Sequence, residues 1–455
     1  MKTPWYEIDR FLIGEAWAGS QIGSHLTQLC DQIGPRWASS EQEHQTIRYI
    51  REQFSLCDLD KVDVENYEMD TWSWSTAEAT LDSGHELDVL PLIWCPSFEL
   101  TARVVDIGFG TPREITAASN LRGTIAIVDM AHEPFTSPIP IAYRLRHLAQ
   151  SGAAAAIIVD VKLGGRKEYH SAHDLKDPDF PDPPLPAVTV SREDGRWLQR
   201  HAGRHLHLTV KTKLYRAPSA NVVAELNGAE WPDEHLVIGA HHDTVYDTAG
   251  GNDNSSGVIA LLETARVLAE LRRATGQHPG RNIRFVTYSA EEQRFQGSFF
   301  FVNSHYGPEI PPRLALNLDE LSTGHFKGIV LGFPHLQPLV QDQLDDMGDG
   351  HQCHVMAQID ATSDHFPFLA AGLDAAHLWR WRFHGRHSDS DFHHEPGDSA
   401  DKVNVRELKE YVAHLSRLLL RLSRVAPPAW PVNPMTKQGV SARLRKDRGT
   451  VVRVY

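Results

Sequence analysis

LVIGAHHDTVYDTAGGNDNSSG, residues 236–257, decides how the rest of the chain reads. An apolar run ends in His241, a turn rich in Gly and Asn follows, and the spacing predicts a helix from Ser255 through Leu271. The same strand-then-helix grammar recurs downstream. NIRFVTYSA (282–290) precedes a short helix after Gly297, RLALNLDEL (313–321) reads as a strand, and GIVLGF (328–333) precedes a helix around LVQDQLDDM. A strand near AAHLWRW (375–381) and a last helix, VRELKEYVAHLSRLLLRL (405–422), complete the series. Strands separated by helices predict an α/β fold: a mostly parallel mixed sheet with helices on both faces. In such a sheet functional groups collect at the carboxyl ends of the strands.

Those ends carry an unusual set of side chains. His241 closes one strand, with Asp243 placed to accept its second ring N–H. Asp253 lies in the turn, Glu291 and Glu292 follow the next strand, and Asp319 ends another. His393 and His394 sit in the loop DFHHEPGDSADK before the last helix, and either could be a ligand. Singly, each has a bland reading: a helix cap for Asp253, a solvated turn for the glutamates, a strand-terminal turn for Asp319. Together they supply imidazoles and carboxylates for a dinuclear metal site. One carboxylate is to spare, and a general base must not itself be a ligand.

Working outward, residues 1–92 read as helices (GSHLTQLCDQI, HQTIRYIREQF) and then an alternating strand, VDVENYEM, as an N-terminal part of the domain that carries the ligand set. Residues 93–214 change texture to short β-rich runs broken by Pro and Gly, a separate small α/β module. Within it LGGRKEYHSAHDLKDPDFPDPPLPAV (163–188) reads as a long exposed loop. Residues 215–425 form the catalytic core, and 426–455 a basic arm, packed or crossing, with a disordered tail as the alternative, whose terminal TVVRVY could add a strand to a neighbouring chain.

The 455 residues suffice for a sizeable core, and 59 acidic against 45 basic residues, a net charge of -14, argue against nucleic acid as a partner. Four cysteines show no paired short spacing, no secretory signal is visible, and no apolar run approaches the roughly 20 residues that span a bilayer. A cytoplasmic location without membrane contact is expected, and self-association stays open.

The motifs in order, IGPRWASSEQEH, GGNDNSSG, SAEEQRFQGS, LNLDEL, SDHFPFLAAGLDAAHL and HHEPGDS, resemble those of the dinuclear zinc exopeptidases. That family includes bacterial leucine-type aminopeptidases, glutamate carboxypeptidases and the transferrin receptors. LRGTIAIVDMA, QSGAAAAIIVD and LPAVTVSREDG resemble the protease-associated domain inserted in many members. The resemblance implies two Zn2+ ions, with other divalent metals acceptable: His241 and Asp319 on one, Glu292 and His394 on the other, Asp253 bridging. It implies Glu291 as general base towards a water the metals share, Asp243 behind His241, and a cis peptide after Asp253. His394 is preferred over His393 because it opens HEPGDS. The position before it is commonly Tyr, so His393 would have to present an N–H to the substrate oxyanion.

The activity so implied is an aminopeptidase acting on peptides or small amides. A carboxypeptidase, dipeptidase or other amide hydrolase is the alternative, kept open by Arg380, Arg382 and Arg386 in the Arg- and His-rich stretch WRWRFHGRHSDSDF. A non-catalytic binding protein, like the transferrin receptors, would have lost ligands that are all present here. A one-zinc, glutaminyl-cyclase-like acyl transferase is a further relative.

Overall fold

The computed structural model describes residues 5–446 except 137, 174–181, 308, 323, 349–352 and 379–391. TVVRVY and the stretch holding Arg380, Arg382 and Arg386 therefore lie outside the described residues.

The centre of the peptidase half is the strand Trp231–His241, flanked in parallel by Arg281–Tyr288 on one side and Ala315–Asn317 on the other. Register explains the site. Tyr288 pairs with His241 and Asn317 with Gly239, so Asp319, two residues on, comes level with His241, and Glu291 and Glu292 lie just beyond the same edge. Outward, Ala375–Leu378 continues in parallel, Gly328–Leu331 pairs antiparallel with it, and His354–Ala357 closes that side. The sheet is mixed, with its parallel part at the site.

The helix Gly257–Thr275, two residues later in start than its spacing suggests, is buried along almost its whole length and packs with the helix Val405–Ser423. Both are nearly dry because the sheet lies on one side and the N-terminal helices, including Tyr6–Ala18, on the other. A Cβ on Gly257 would meet Leu318 O at 2.4 Å. Only glycine lets this helix start against the strand end that delivers Asp319.

The boundaries expected from composition fare differently. The division at 214/215 falls inside one unbroken strand, His205–Leu226, which pairs antiparallel with Lys61–Leu81 from Leu206 to Glu225. That ribbon runs through the boundary with its pairing interrupted only by a bulge between Trp74 and Thr76, so no break in the ladder marks where one core ends. The module it carries, with strands Ile125–Asp129, Ala155–Val159 and Ala187–Val190, buries its own apolar cluster. Among its described residues the tract expected to be an exposed loop is partly buried: Leu163, Gly164 and Gly165 are exposed, but Tyr169, Ala172 and Leu185 are buried. In the C-terminal arm, Trp430 joins the main core and the helix Lys437–Lys446 packs Val440 beneath Phe368 and Leu369.

Asp374, just before the strand Ala375–Leu378, offers a test of this packing. Burial pushes its carboxyl up to about 7. A raised folded-state value means that its contribution to stability is complete below the unfolded value near 3.8 and is lost as pH rises through about 7. Unfolding free energy should thus fall less between pH 4 and 7 in Asp374→Asn than in the wild type, by on the order of a few kcal/mol. Urea titrations of both proteins across that range check it; parallel profiles would disprove it.

Candidate metal centre

Four strand ends and loops bring the expected residues together. His241, Asp243, Asp253, Glu291, Glu292 and Asp319 are all buried, and His393 and His394 are half-buried above them. His241 Nε2 lies 3.2 Å from Asp253 Oδ1 and 3.4 Å from Asp319 Oδ1. His394 Nε2 lies 3.1 Å from Glu292 Oε2 and 3.4 Å from Asp253 Oδ2. Asp253 thus turns one oxygen to each group.

These spacings suit metal better than hydrogen bonding. Bonds of about 2.0–2.1 Å around a tetrahedral ion place ligand atoms about 3.3 Å apart. The histidine tautomers agree. His241 Nδ1 is 3.2 Å from the Asp243 carbonyl and His394 Nδ1 is 3.1 Å from the Tyr169 carbonyl. A carbonyl only accepts, so in both rings Nδ1 carries a proton, and in the neutral form that a metal requires Nε2 would present its lone pair on the side of the carboxylates. His241 Nε2 and Glu292 Oε1 are buried without a hydrogen bond of their own. The donor set fits divalent ions such as zinc.

Electrostatics point the same way. Burial pushes Glu291 well above the ordinary carboxylate range, and repulsion from Glu292, Asp364 and Asp319 adds to it; Glu292 is raised by burial and by Asp253. Burial also lifts Asp364 to about 8 and Asp398 to about 7. Against burial, the three histidines His241, His393 and His394 hold Asp253 well below its usual value. A bound cation would relieve this crowding of buried negative charge.

Asp243 does more than stand behind His241. Its carboxylate accepts the backbone N–H groups of Glu291 (3.1 Å) and Glu292 (3.3 Å), tying two strand ends together, and its Oδ1 lies 3.4 Å from His241 Nδ1. Three neighbours, Ala290, Glu320 and His394, adopt left-handed φ of 55°, 51° and 54°, strain of the kind that collects at functional sites. The Asp253–Asn254 peptide is cis.

His393 departs from its expected place. Its Nδ1 faces Asp253 Oδ2 at 3.0 Å and Glu320 Oε1 at 3.2 Å, and its ring stacks on His394 at 3.6 Å. A nitrogen turned to a carboxylate cannot also meet an oxyanion, so only Nε2 remains for a substrate.

Sequence reasoning missed several residues. Arg36, fully buried, donates to the carbonyls of Leu29, Gly34, His242 and Ala249 and to Ser255, locking the turn before Asp253 from outside. Asp398 accepts the N–H groups of Asn252 and Asp253. Both sit in motifs already singled out, IGPRWASSEQEH and HHEPGDS. Lys162 and Tyr169, from the inserted module, had no such signal: Lys162 Nζ donates to the His393 carbonyl at 2.7 Å, and Tyr169 N–H to the His394 carbonyl at 3.0 Å.

Residues 221–419 match the model of peptidase family M28 and residues 100–198 that of the PA domain. Residues 221–419 thus carry the likeness to peptidase family M28. The chain is 26% identical over 325 residues to the probable leucine aminopeptidase 2 of Aspergillus oryzae, covering 67% of this chain and 61% of that protein. It is 21% identical over 401 residues to carboxypeptidase Q of Pongo abelii, covering 84% and 81%. A zinc aminopeptidase from Bacillus subtilis superposes with a TM-score of 0.69 at 20% identity, over 91% of this chain and 97% of that one, a likeness of fold. The M28 match makes residues 221–419 a region of metallopeptidase type, and the module at residues 100–198 matches a PA domain. Among the described residues no helix is long and apolar enough to cross a membrane.

Proposed function

We propose that this chain is an aminopeptidase that removes N-terminal residues from peptides, with His241 and Asp319 on one zinc ion, Glu292 and His394 on a second, and Asp253 shared. The observation that carries this reading is the charge of the site. Its functional groups are carboxylates and imidazoles, which suit a substrate ammonium, and among the described residues the cations Lys162 and Arg166 beside the ligand loop are tied to Glu168 and Glu395. Zinc bound there would supply Lewis-acid polarisation of the scissile carbonyl and a more acidic water.

The protein's own groups do the rest. Glu291 follows a strand whose next residue, Glu292, already faces His394, so Glu291 is free to take a proton from the attacking water and return it to the leaving amine. Asp243 holds both glutamate amides and the His241 tautomer, and Asp398 holds the turn of Asp253. His393 steadies Asp253 through Nδ1.

A carboxypeptidase is the second reading, favoured by the likeness to carboxypeptidase Q. The zinc-loaded protein should hydrolyse an aminoacyl anilide and leave an N-blocked dipeptide intact; the reverse preference would establish the carboxypeptidase, and activity on neither would overturn both. His393→Phe should lower kcat roughly tenfold or more with a smaller change in KM. An unchanged kcat would remove His393 from the site.

A further inference from the structure

The tautomer arrangement of His241 and His394 occurs a third time, at the end of the strand Ala375–Leu378. Asp360, His365 and His377 are buried and each offers a ligand atom, all within 4.8 Å of one another. Asp360 Oδ1 is 2.8 Å from His365 Nε2, and its Oδ2 is 2.9 Å from His377 Nε2, with the two rings 4.6 Å apart. His377 Nδ1 lies 2.9 Å from the Leu378 carbonyl. That carbonyl can only accept, so Nδ1 carries a proton, and in the neutral ring Nε2 presents a lone pair. Two lone pairs, from Nε2 and from the Asp360 carboxylate, would then face each other at 2.9 Å. Something positive must lie between them.

We propose that Asp360, His365 and His377 hold a further divalent ion of the zinc class, with ligands none of which belongs to the centre described above. Two imidazoles and one carboxylate are the set that borderline ions select and that magnesium and calcium do not, and three protein ligands leave a fourth position open. The present ligand spacings of 2.8 and 2.9 Å are shorter than the about 3.3 Å of a tetrahedral zinc ion, so binding spreads the triad by about half an ångström. Exposures of 9%, 2% and 8% for Asp360, His365 and His377 leave little room for bulk water to supply the missing charge.

The ion's place suggests what it braces. The loop beginning at Asp360 also carries Ser363, whose hydroxyl accepts from Asn317 Nδ2 at 2.7 Å, and Asp364, which accepts from Ser298. Asn317 lies two residues before Asp319. An ion joining Asp360 to His377 would clamp this loop to the sheet beside the hydrolytic centre, and no step of hydrolysis is assigned to it.

The test counts zinc in the full chain after saturation and desalting. Asp360→Asn and His377→Leu should each bind one equivalent fewer than the wild type. This difference is the same however many ions the other centre holds, so its failure is separate from failure of the aminopeptidase reading. Equal zinc content in the wild type and both folded variants would overturn the inference. So would nitrogen NMR of the zinc-saturated wild type showing protons on both ring nitrogens of His377, since a proton would then occupy the place given to the ion. Asp360→Asn is nearly isosteric and guards against a folding defect in His377→Leu.

Discussion

Glu291→Gln should lower kcat for an aminoacyl anilide by about a hundred- to ten-thousand-fold while the protein keeps its zinc. Glutamine preserves the volume and the backbone N–H bond to Asp243, so the strand end stays in place. What disappears is the one group able to take a proton and give it back. Glu291 also lies close enough to His241 and Glu292 to be imagined as a ligand with them. Zinc content separates these roles: a ligand's loss releases metal, and a base's loss does not. Burial and the neighbouring carboxylates hold Glu291 well above its ordinary value in the metal-free chain, which favours its neutral form over the base. Cations beside it reverse that balance, so base chemistry and metal loading are linked. Full activity in Glu291→Gln would refute the assignment.

How much of this site could be read beforehand depends on the range of the interactions involved. His241, Glu291, Glu292 and Asp319 were legible because each follows a buried apolar strand, and strand ends in a parallel sheet must meet at one edge. Asp253 was legible from its glycine- and asparagine-rich turn. The 214/215 boundary falls inside a strand because composition changes along it while the pairing runs on past a single bulge between Trp74 and Thr76. The tract 163–188 was misjudged for a related reason. Its Pro and Asp content reports turns, which are local, and says nothing of what covers them. Lys162 and Glu395 are 233 residues apart, and no local pattern announces their contact. Asp360 and His377 were unremarkable for the same reason, since a lone Asp and a strand His acquire meaning only when the fold closes them on each other.

Lys162→Met should destabilise the protein by about 3 kcal/mol and weaken zinc binding about ten- to a hundredfold. The lysine side chain is 2% exposed, and its ammonium lies 2.8 Å from Glu168 and 3.2 Å from Glu395 while donating to the His393 carbonyl. Methionine fills the space and removes the charge, leaving Glu168 without this partner and Glu395 with Arg166 alone. The energetic loss is that of a buried pair broken from one side, which costs far more than an exposed one. The functional loss follows from position, because Glu395 is next to His394, and Tyr169, seven residues after Lys162, fixes the His394 tautomer through its carbonyl. Urea unfolding would read the first effect and competition with a chelator the second. Adding Glu168→Gln to Lys162→Met should recover part of the stability, since the stranded charge is then gone, but not the zinc affinity, since the His393 carbonyl still lacks its donor. Stability and zinc affinity both unchanged in the single variant would mean that the PA domain merely rests against the ligand loop. A fall in both means that a residue of the inserted domain helps to build the metal centre, and that the peptidase half cannot hold His394 in place by itself.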